Sequence, residues 1–187
     1  MPSGGGGTPI SLRRRDAAAR EARYREMGYE TLAMVDMPAA AAASDVEVAM
    51  EVHLAALPGA VAVLEGTGEG LQGSREVSDQ ITQVLLSSGH GLVMFANGLN
   101  TAQKLASREG VPAATVFRDF DGKGQNIAVI RRFLDQAAFK ADQEGGVIMV
   151  GRLREETLSA LMLWGLQDRA NSVALAPVSA VLRGKIQ

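Results

Sequence analysis

The sequence predicts an α/β fold in which a parallel sheet of about six strands alternates with helices. The clearest part of this pattern lies between residues 145 and 182. Residues 147–150 form a short apolar run with glycines on both sides, which is typical of a buried strand. Residues 157–169 then carry apolar side chains at helical spacing, and residues 172–178 form a second apolar run. A strand, a helix and a strand joined by short connections predict a right-handed βαβ unit.

The first third of the chain fits the same alternation. Residues 13–27 are rich in Ala, Arg and Glu, so they predict a helix. Residues 30–37 are predicted to form a strand that ends before a proline. Ser44 and Glu47 have the spacing of a capping box, which predicts that Ser44 opens the next helix.

The remaining elements continue the pattern. Ser74 stands where it would cap a helix that runs to residue 88. The longest helix is predicted at residues 125–144, where apolar side chains recur at steps of three and four. Further strands are predicted at residues 60–64, 92–96 and 113–117, and a short helix at residues 100–110. The strict alternation, with no internal repeat and no long linker, predicts one domain whose parallel sheet is either open or closed into a barrel.

Composition excludes several classes of protein. The chain has 187 residues, a formal net charge of -2 and no cysteine. The charge balance does not favour nucleic-acid binding, and the lack of cysteine excludes disulfides and a thiol nucleophile. No run of about 18 apolar residues is present, so we predict no membrane span. The glycine-rich start lacks the apolar segment of a signal peptide, and we expect residues 1–12 to be disordered and residues 13–187 to form the domain.

Ligands and chemistry in a parallel α/β fold are expected at the carboxyl ends of the strands. The polar residues predicted there are Asp36, Glu65, Asn97, Arg118, Asp119, Asp121 and Arg152. The carboxylates that we consider as catalytic candidates are Glu65, Asp119 and Asp121. The residues that we consider as candidate ligand-binding groups are Arg152, Arg118, Asn97 and Asp36.

Other chemical patterns in the sequence are incomplete. His53 lies on the apolar face of a predicted helix and His90 lies in a turn before a strand, so neither is placed to bind a metal. Asp119 and Asp121 resemble the first half of a calcium loop, but the second half is absent. The glycine-rich residues 66–70 lack the Lys and Ser/Thr of a phosphate-binding loop, so we interpret them as a flexible turn.

Six different short motifs follow one another in a fixed order between residues 19 and 182. They lie at residues 27–30, 57–63, 110–113, 151, 156–158 and 175–179. In this order they resemble the divergent polysaccharide deacetylases, which are relatives of the NodB-type deacetylases. The resemblance implies a deformed (β/α) barrel and a divalent metal, such as zinc, that activates water for amide hydrolysis. It also implies a role in carbohydrate metabolism and a periplasmic or cell-envelope location.

The sequence departs from the family pattern at the positions that would hold the metal. Where the family reads N-N-H-M-G-S this chain has Gly66 in place of the histidine, and where the family reads G-H-P-x-P-E-T it has Arg152. Asn97 follows an alanine that replaces a family aspartate, and we expect the chain to begin after the family's opening strand. Asp121 alone keeps an acidic residue in register with a family aspartate. A hydrolytic metal needs at least three good ligands, so we expect no bound metal cofactor.

These observations predict a deacetylase-like protein that is catalytically inactive and has a glycan as its partner. Two alternatives stay open: a hydrolase of N-acetylated glycans that uses Glu65, Asp119 and Asp121, and a non-catalytic interaction or scaffold protein. An incomplete barrel would leave an exposed sheet edge, which favours homo-oligomers. Arg152 also has two interpretations, since it is either an anion-binding residue or the ion-pair partner of one of these carboxylates.

Overall fold

The computed structural model describes residues 14–68 and 70–184. Its strands are β1 (Leu32–Val35), β2 (Ala62–Glu65), β3 (Gly91–Met94), β4 (Ala113–Asp119) and β5 (Ile148–Val150). Its helices are α1 (Arg14–Glu26), α2 (Ala43–Ala56), α3 (Arg75–Ser88), α4 (Thr101–Arg108), α5 (Ile127–Glu144), α6 (Glu155–Gly165) and α7 (Val178–Gly184). Short 3-10 helices cover Gly70–Gln72 and Asp168–Ser172.

The predicted α/β class is confirmed. All neighbouring strands are parallel, and their order in the sheet is β1-β2-β3-β4-β5. A helix follows each strand, which is the arrangement of an incomplete β/α barrel. The first half of β4 pairs with β3 and its second half with β5, with a register shift between Val116 and Arg118. Because the strands are parallel, the carboxyl ends of hydrogen-bonded neighbours lie at one edge.

The described residues form two compact units. The first comprises the described residues up to Thr115 together with those from Pro177 onward, and the second comprises Val116–Ala176. The core of the first unit buries apolar side chains of four strands against those of the helices, among them Val35, Val63, Leu92, Met50 and Ile81. The core of the second unit is smaller and packs α5 against α6 through residues that include Phe120, Ile130, Leu134, Ala160 and Trp164.

Two predicted helix starts have different outcomes. Ser74 caps α3 as predicted, because its hydroxyl oxygen accepts a hydrogen bond from the Val77 N–H at 3.2 Å. The predicted cap at Ser44 is wrong, since α2 begins at Ala43. A carboxylate rather than a hydroxyl satisfies this helix start: Asp45 Oδ2 accepts the Ala42 N–H at 2.9 Å. A negative group is also the stronger partner for the positive end of a helix.

The predicted sixth strand is a further correction. Residues 172–178 form no strand in the part of the chain that the structure describes. Ser172 ends the last 3-10 helix, Val178 begins α7, and residues 173–177 connect the two. The apolar run is largely exposed, with 86% of Leu175 accessible to solvent, and Pro177 has no N–H to donate to a neighbouring strand. A short apolar run alone therefore did not distinguish a strand from an exposed connection that happens to contain several apolar residues.

The chain ends, membrane spans and the sheet edge were also predicted from the sequence. The predicted disordered segment, residues 1–12, lies outside the described residues. Within residues 14–68 and 70–184, no helix is long and apolar enough to cross a bilayer. In that same part, β1 pairs with β2 alone, so β1 is an edge strand. Association of copies through this edge stays a prediction.

Candidate functional site

A charged cluster lies where β4 and β5 end in the second unit. Asp119 is the last residue of β4, Asp121 follows two residues later, and Arg152 follows β5 by two residues. The Arg152 Nη1 atom donates to Asp119 Oδ1 at 2.8 Å and to Asp121 Oδ1 at 2.7 Å. Its Nη2 atom donates to Asp119 Oδ2 at 2.9 Å. We call these three residues the Arg152 clamp, because one guanidinium joins both carboxylates.

Asp121 is the most constrained member of the Arg152 clamp. Its side chain is 2% exposed, and its Oδ2 atom accepts the Arg152 backbone N–H at 2.6 Å and the Thr157 hydroxyl at 2.7 Å. The backbone carbonyl of Asp121 accepts a further bond from Arg154 Nη1 at 3.1 Å. The loop after β5 is therefore tied to the loop after β4 by side-chain and backbone donors.

Hydrogen bonds shift the pKa values of two members of the Arg152 clamp, Asp121 and Arg152. Burial raises the pKa of Asp121, but the hydrogen bonds from Thr157 and from the backbone and side chain of Arg152 outweigh it, so the net pKa lies below its ordinary value. Hydrogen bonds to Asp119 and then to Asp121 raise the pKa of Arg152. The Asp119 and Arg152 side chains are 30% and 34% exposed, whereas that of Asp121 is 2% exposed. Water therefore screens the attraction between Asp119 and Arg152 more than the attraction between Asp121 and Arg152.

Local packing explains how the two loops approach each other. Phe120 lies between the two aspartates of the Arg152 clamp in the sequence, and its side chain is buried in the core of the second unit. A Cβ atom on Gly151 would overlap the ring of Phe120, so the chain passes this ring only because residue 151 lacks a side chain. Gly151 thus brings Arg152 within reach of both carboxylates.

Glu65, a catalytic candidate, serves a different network in the first unit. It is 3% exposed at the end of β2. Its Oε2 atom accepts the Gln72 side-chain amide at 2.7 Å and the Phe95 N–H at 2.8 Å. Gln72 also donates to the Phe95 carbonyl at 2.9 Å. This carboxylate therefore ties the ends of β2 and β3 to the short helix that contains Gln72.

Asp36, a ligand-binding candidate, is packed against the glycine-rich segment. Its Oδ1 atom accepts the Gly68 N–H at 2.7 Å. A Cβ atom on Gly66 would lie 2.8 Å from the Asp36 Cα and Cβ atoms, and one on Gly68 would overlap the Met37 carbonyl oxygen. Gly66 and Gly68, which lie in the segment predicted to be a flexible turn, are thus held against Asp36 and Met37 by close backbone packing, and the Gly68 N–H is not available to a phosphate.

The other two ligand-binding candidates also have partners within the chain. The Asn97 N–H donates to Asn100 Oδ1 at 2.9 Å. The Arg118 guanidinium carbon lies 4.3 Å from the centre of the Phe133 ring, which is a cation–π contact. Arg118 is therefore placed against α5 and is not a member of the Arg152 clamp.

Two functional partners were not predicted from the sequence, Thr157 for Asp121 and Gln72 for Glu65. Thr157 is 3% exposed and lies at the start of α6. A signal for it was present, since Thr157 occupies the threonine position of the G-H-P-x-P-E-T motif. Gln72 belongs to no such motif, and its partner Glu65 lies on a different element.

A shallow groove of about 270 Å³ borders the Arg152 clamp in the second unit. Its lining residues are Asp121, Gly124, Gln125, Asn126, Arg154, Glu156 and Thr157. The amide oxygens of Gln125 and Asn126 accept the N–H groups of Lys123 and Val129, at 2.9 and 3.0 Å. These bonds fix the orientation of the two side-chain amides. Their NH₂ groups can then donate hydrogen bonds to other partners.

The fold and the charged cluster define a protein of the incomplete β/α barrel class with a polar site where its parallel strands end. A family model described as a divergent polysaccharide deacetylase matches residues 21–182, and the chain belongs to that family. The chain is also similar to a crystal structure of the uncharacterized protein ATU2773 from Agrobacterium tumefaciens C58. The TM-score is 0.71 and the identity 18%, over 91% of this chain and 74% of that one. This similarity shows a shared fold, and no curated protein matches the sequence.

The side chains that the structure describes do not fit the divalent metal that the family implies. Within residues 14–68 and 70–184, no group of three or more His, Cys, Asp or Glu side chains is placed to hold a metal ion. His53 lies in α2 and His90 precedes β3 at its amino end. In the Arg152 clamp a guanidinium is bound to both carboxylates, so a positive side chain takes the interactions that a cation would need.

Proposed function

We propose that this chain is a deacetylase-like protein of carbohydrate, cell-envelope metabolism that binds a glycan without hydrolysing it. The observation that carries the proposal is the Arg152 clamp. The guanidinium of Arg152 makes three hydrogen bonds to Asp119 and Asp121. By the resemblance to the family, Arg152 stands in place of a histidine and Asp121 is in register with an aspartate of the metal site. Family membership supports the link to carbohydrate.

The chemistry of amide hydrolysis supports the catalytic part of the proposal. A bound divalent ion lowers the pKa of water to about 7, which supplies hydroxide at neutral pH. A guanidinium has no orbital that can coordinate water as a metal ion does, so it does not lower the pKa of water in this way. It also stays protonated, so it cannot accept a proton from water. Asp121 is engaged by Thr157 and Arg152, and it is therefore a weak general base in this setting.

The groove beside the Arg152 clamp supports the binding part. Its lining combines the amide groups of Gln125 and Asn126 with the charged side chains of Arg154 and Glu156. Donors and acceptors that converge in one small concave site suit the hydroxyl and amide groups of a sugar. The volume is just below the range of about 300–1,000 Å³ for small-molecule sites, so a short glycan segment is the expected ligand.

Acetate release and metal content test the catalytic part. We expect the purified native chain to release no acetate from a soluble N-acetylated glycan oligomer, with or without added zinc. We also expect no stoichiometric zinc after dialysis at neutral pH. Acetate release by the native chain that disappears in Asp121→Asn or Glu65→Gln would overturn the proposal in favour of the alternative hydrolase.

Calorimetric titration with the same oligomer tests the binding part. We expect saturable binding by the native chain and at least a tenfold weaker association for Gln125→Ala. Gln136→Ala is the matched control, because Gln136 is an exposed glutamine of α5 that does not line the groove. Equal affinities of the two variants would place the binding elsewhere, and an absence of binding would favour a scaffold role.

A further inference from the structure

We infer that the Arg152 guanidinium is a built-in counter-cation that closes a two-carboxylate cation site. The native chain thereby holds its β4 and β5 loops together without a metal and excludes divalent ions from this position. The inference extends the proposed function, since it concerns how the same site excludes a metal. It predicts a property that glycan binding does not require, namely that removing the guanidinium opens the site to a divalent cation.

The geometry around one nitrogen atom supports this inference. Arg152 Nη1 lies 2.8 Å from Asp119 Oδ1 and 2.7 Å from Asp121 Oδ1. A single positive group therefore bridges two carboxylates from one point. Hard divalent ions take carboxylate oxygens at about 2.0–2.6 Å, so an ion at the same point would need each oxygen to move inward by less than about 1 Å.

The carboxylates have supports that do not depend on the guanidinium. Asp121 accepts hydrogen bonds from the Arg152 backbone N–H and from the Thr157 hydroxyl. A substitution of the Arg152 side chain leaves both of these donors in place. Asp119 is the last residue of β4, whose pairing with β5 at Val150 fixes its backbone. The two carboxylates should therefore stay close together when the guanidinium is removed.

The native chain has two reasons to exclude a divalent ion from the Arg152 clamp. The guanidinium repels a cation and already makes three hydrogen bonds to the same carboxylates. Displacement of the side chain would also break the pairing of Arg152 with the buried carboxylate of Asp121. With the guanidinium removed, two carboxylates and water form a weak oxygen-rich site of the kind that Mn²⁺ accepts.

Mn²⁺ titration followed by thermal unfolding tests the inference. For Arg152→Ala we expect a dissociation constant on the order of 10⁻³ M or weaker, because two carboxylates are fewer ligands than those of calcium sites that bind at about 10⁻⁴ to 10⁻³ M. At ten times that concentration Mn²⁺ should raise the midpoint of thermal unfolding by about 3–6 °C, and EDTA should reverse the shift. The unfolding midpoint of the native chain should change by less than about 1 °C, both with Mn²⁺ and after addition of EDTA.

Control variants separate this effect from a general response to lost charge. Arg75→Ala removes an exposed arginine that contacts Asp79 at 3.7 Å, and it should gain no Mn²⁺ response. Arg152→Ala combined with Asp119→Asn should lose most of the response. If Arg152→Ala is too unstable to study, Arg152→Gln keeps much of the side-chain volume and removes the charge, so it should give the same response.

The outcomes are distinct from those of the proposed function. A native chain that binds Mn²⁺ as well as the variants do, or variants that gain no Mn²⁺ response, would overturn the inference. Acetate release by the native chain would overturn the proposed function instead, whatever the variants bind.

Discussion

The residues after β2 and β5 include Gly66 and Arg152, the two positions where sequence analysis predicts a departure from histidines of the family pattern. The room for a side chain or a cation is filled differently at the two positions. At Gly66, after β2, the backbone itself closes the space, since an added Cβ atom would lie 2.8 Å from Asp36 Cα. At Arg152, after β5, a long side chain closes it with charge. At Gly66 the limit is the volume available to a side chain, and at Arg152 it is the charge of the guanidinium and of the two carboxylates.

This difference decides what a substitution can do at each position. A side chain at position 66 has to displace backbone atoms of a neighbouring strand end, which costs packing energy. Truncation of Arg152 displaces no backbone and leaves two carboxylates that are held by other donors. The end of β2 should therefore respond to added volume, and the end of β5 should respond to pH and to cations.

The largest expected effect is that of Arg152→Ala at neutral pH. The change leaves the charge of Asp121 buried beside Asp119, and we expect a loss of about 2–4 kcal/mol in the free energy of unfolding. Like-charge repulsion then raises a carboxylate pKa above its unfolded value. A raised carboxylate pKa destabilises the fold above the unfolded pKa, and the penalty is relieved as pH falls through the folded pKa.

Urea unfolding of Arg152→Ala at pH 7, 6 and 5 measures this effect. Part of the loss should be recovered toward pH 5. Arg75→Ala, the exposed control, should stay within about 0.5 kcal/mol of the native chain. An equal loss for Arg152→Ala at all three pH values would mean that lost packing, and not charge, explains the destabilisation.

The next effect belongs to the end of β2. Gly66→Ala should reduce the free energy of unfolding by about 1–3 kcal/mol, because its Cβ atom would press on Asp36. The loss should not change between pH 7 and pH 5. Gly165→Ala is the matched control, since no atom lies within 4 Å of the Cβ position at the end of α6. That control should be neutral or slightly stabilising, and a comparable loss in both variants would refute the volume argument.

The sequence predicted much of the fold because its signals there are local. The apolar stripe of α5 and the cap of α3 depend on residues within one element, and the structure confirms both. Residues 172–178 were mistaken for a strand because pairing depends on a neighbour that the run itself does not reveal. The cap at Ser44 was wrong because α2 begins at Ala43, where the Asp45 carboxylate accepts the Ala42 N–H. Sequence spacing alone does not select between two nearby acceptors.

The candidate site was predictable in position and less so in detail. Strand ends placed Asp119, Asp121 and Arg152 at neighbouring positions of a parallel sheet, and their hydrogen bonds follow from that placement. The partner of Asp121, Thr157, lies 36 residues away, and its hydroxyl has many possible acceptors. Only three-dimensional packing selects one of them.

The smallest expected effect is that of Thr157→Val, which tests how Asp121 is held in the Arg152 clamp. The change removes the hydroxyl that donates to Asp121 Oδ2 at 2.7 Å and keeps the size of a buried side chain. We expect a loss of about 1–2 kcal/mol at pH 7. Thr157→Ser keeps the hydroxyl and loses a methyl group, so it should retain the hydrogen bond and serves as the control.

The pH dependence of Thr157→Val carries the stronger information. In the native chain the pKa of Asp121 is lowered, because the hydrogen bonds outweigh the burial that raises it. This carboxylate therefore stabilises the fold above its unfolded pKa of about 3.9, and the contribution is lost as pH falls through the folded pKa. Without the Thr157 hydroxyl the folded pKa rises, so acid unfolding should begin at a higher pH than in the native chain or in Thr157→Ser. Thermal unfolding midpoints from pH 7 to pH 3 measure this, and coincident acid profiles for the valine and serine variants would show that the guanidinium and backbone bonds of Arg152 are sufficient to keep Asp121 ionised.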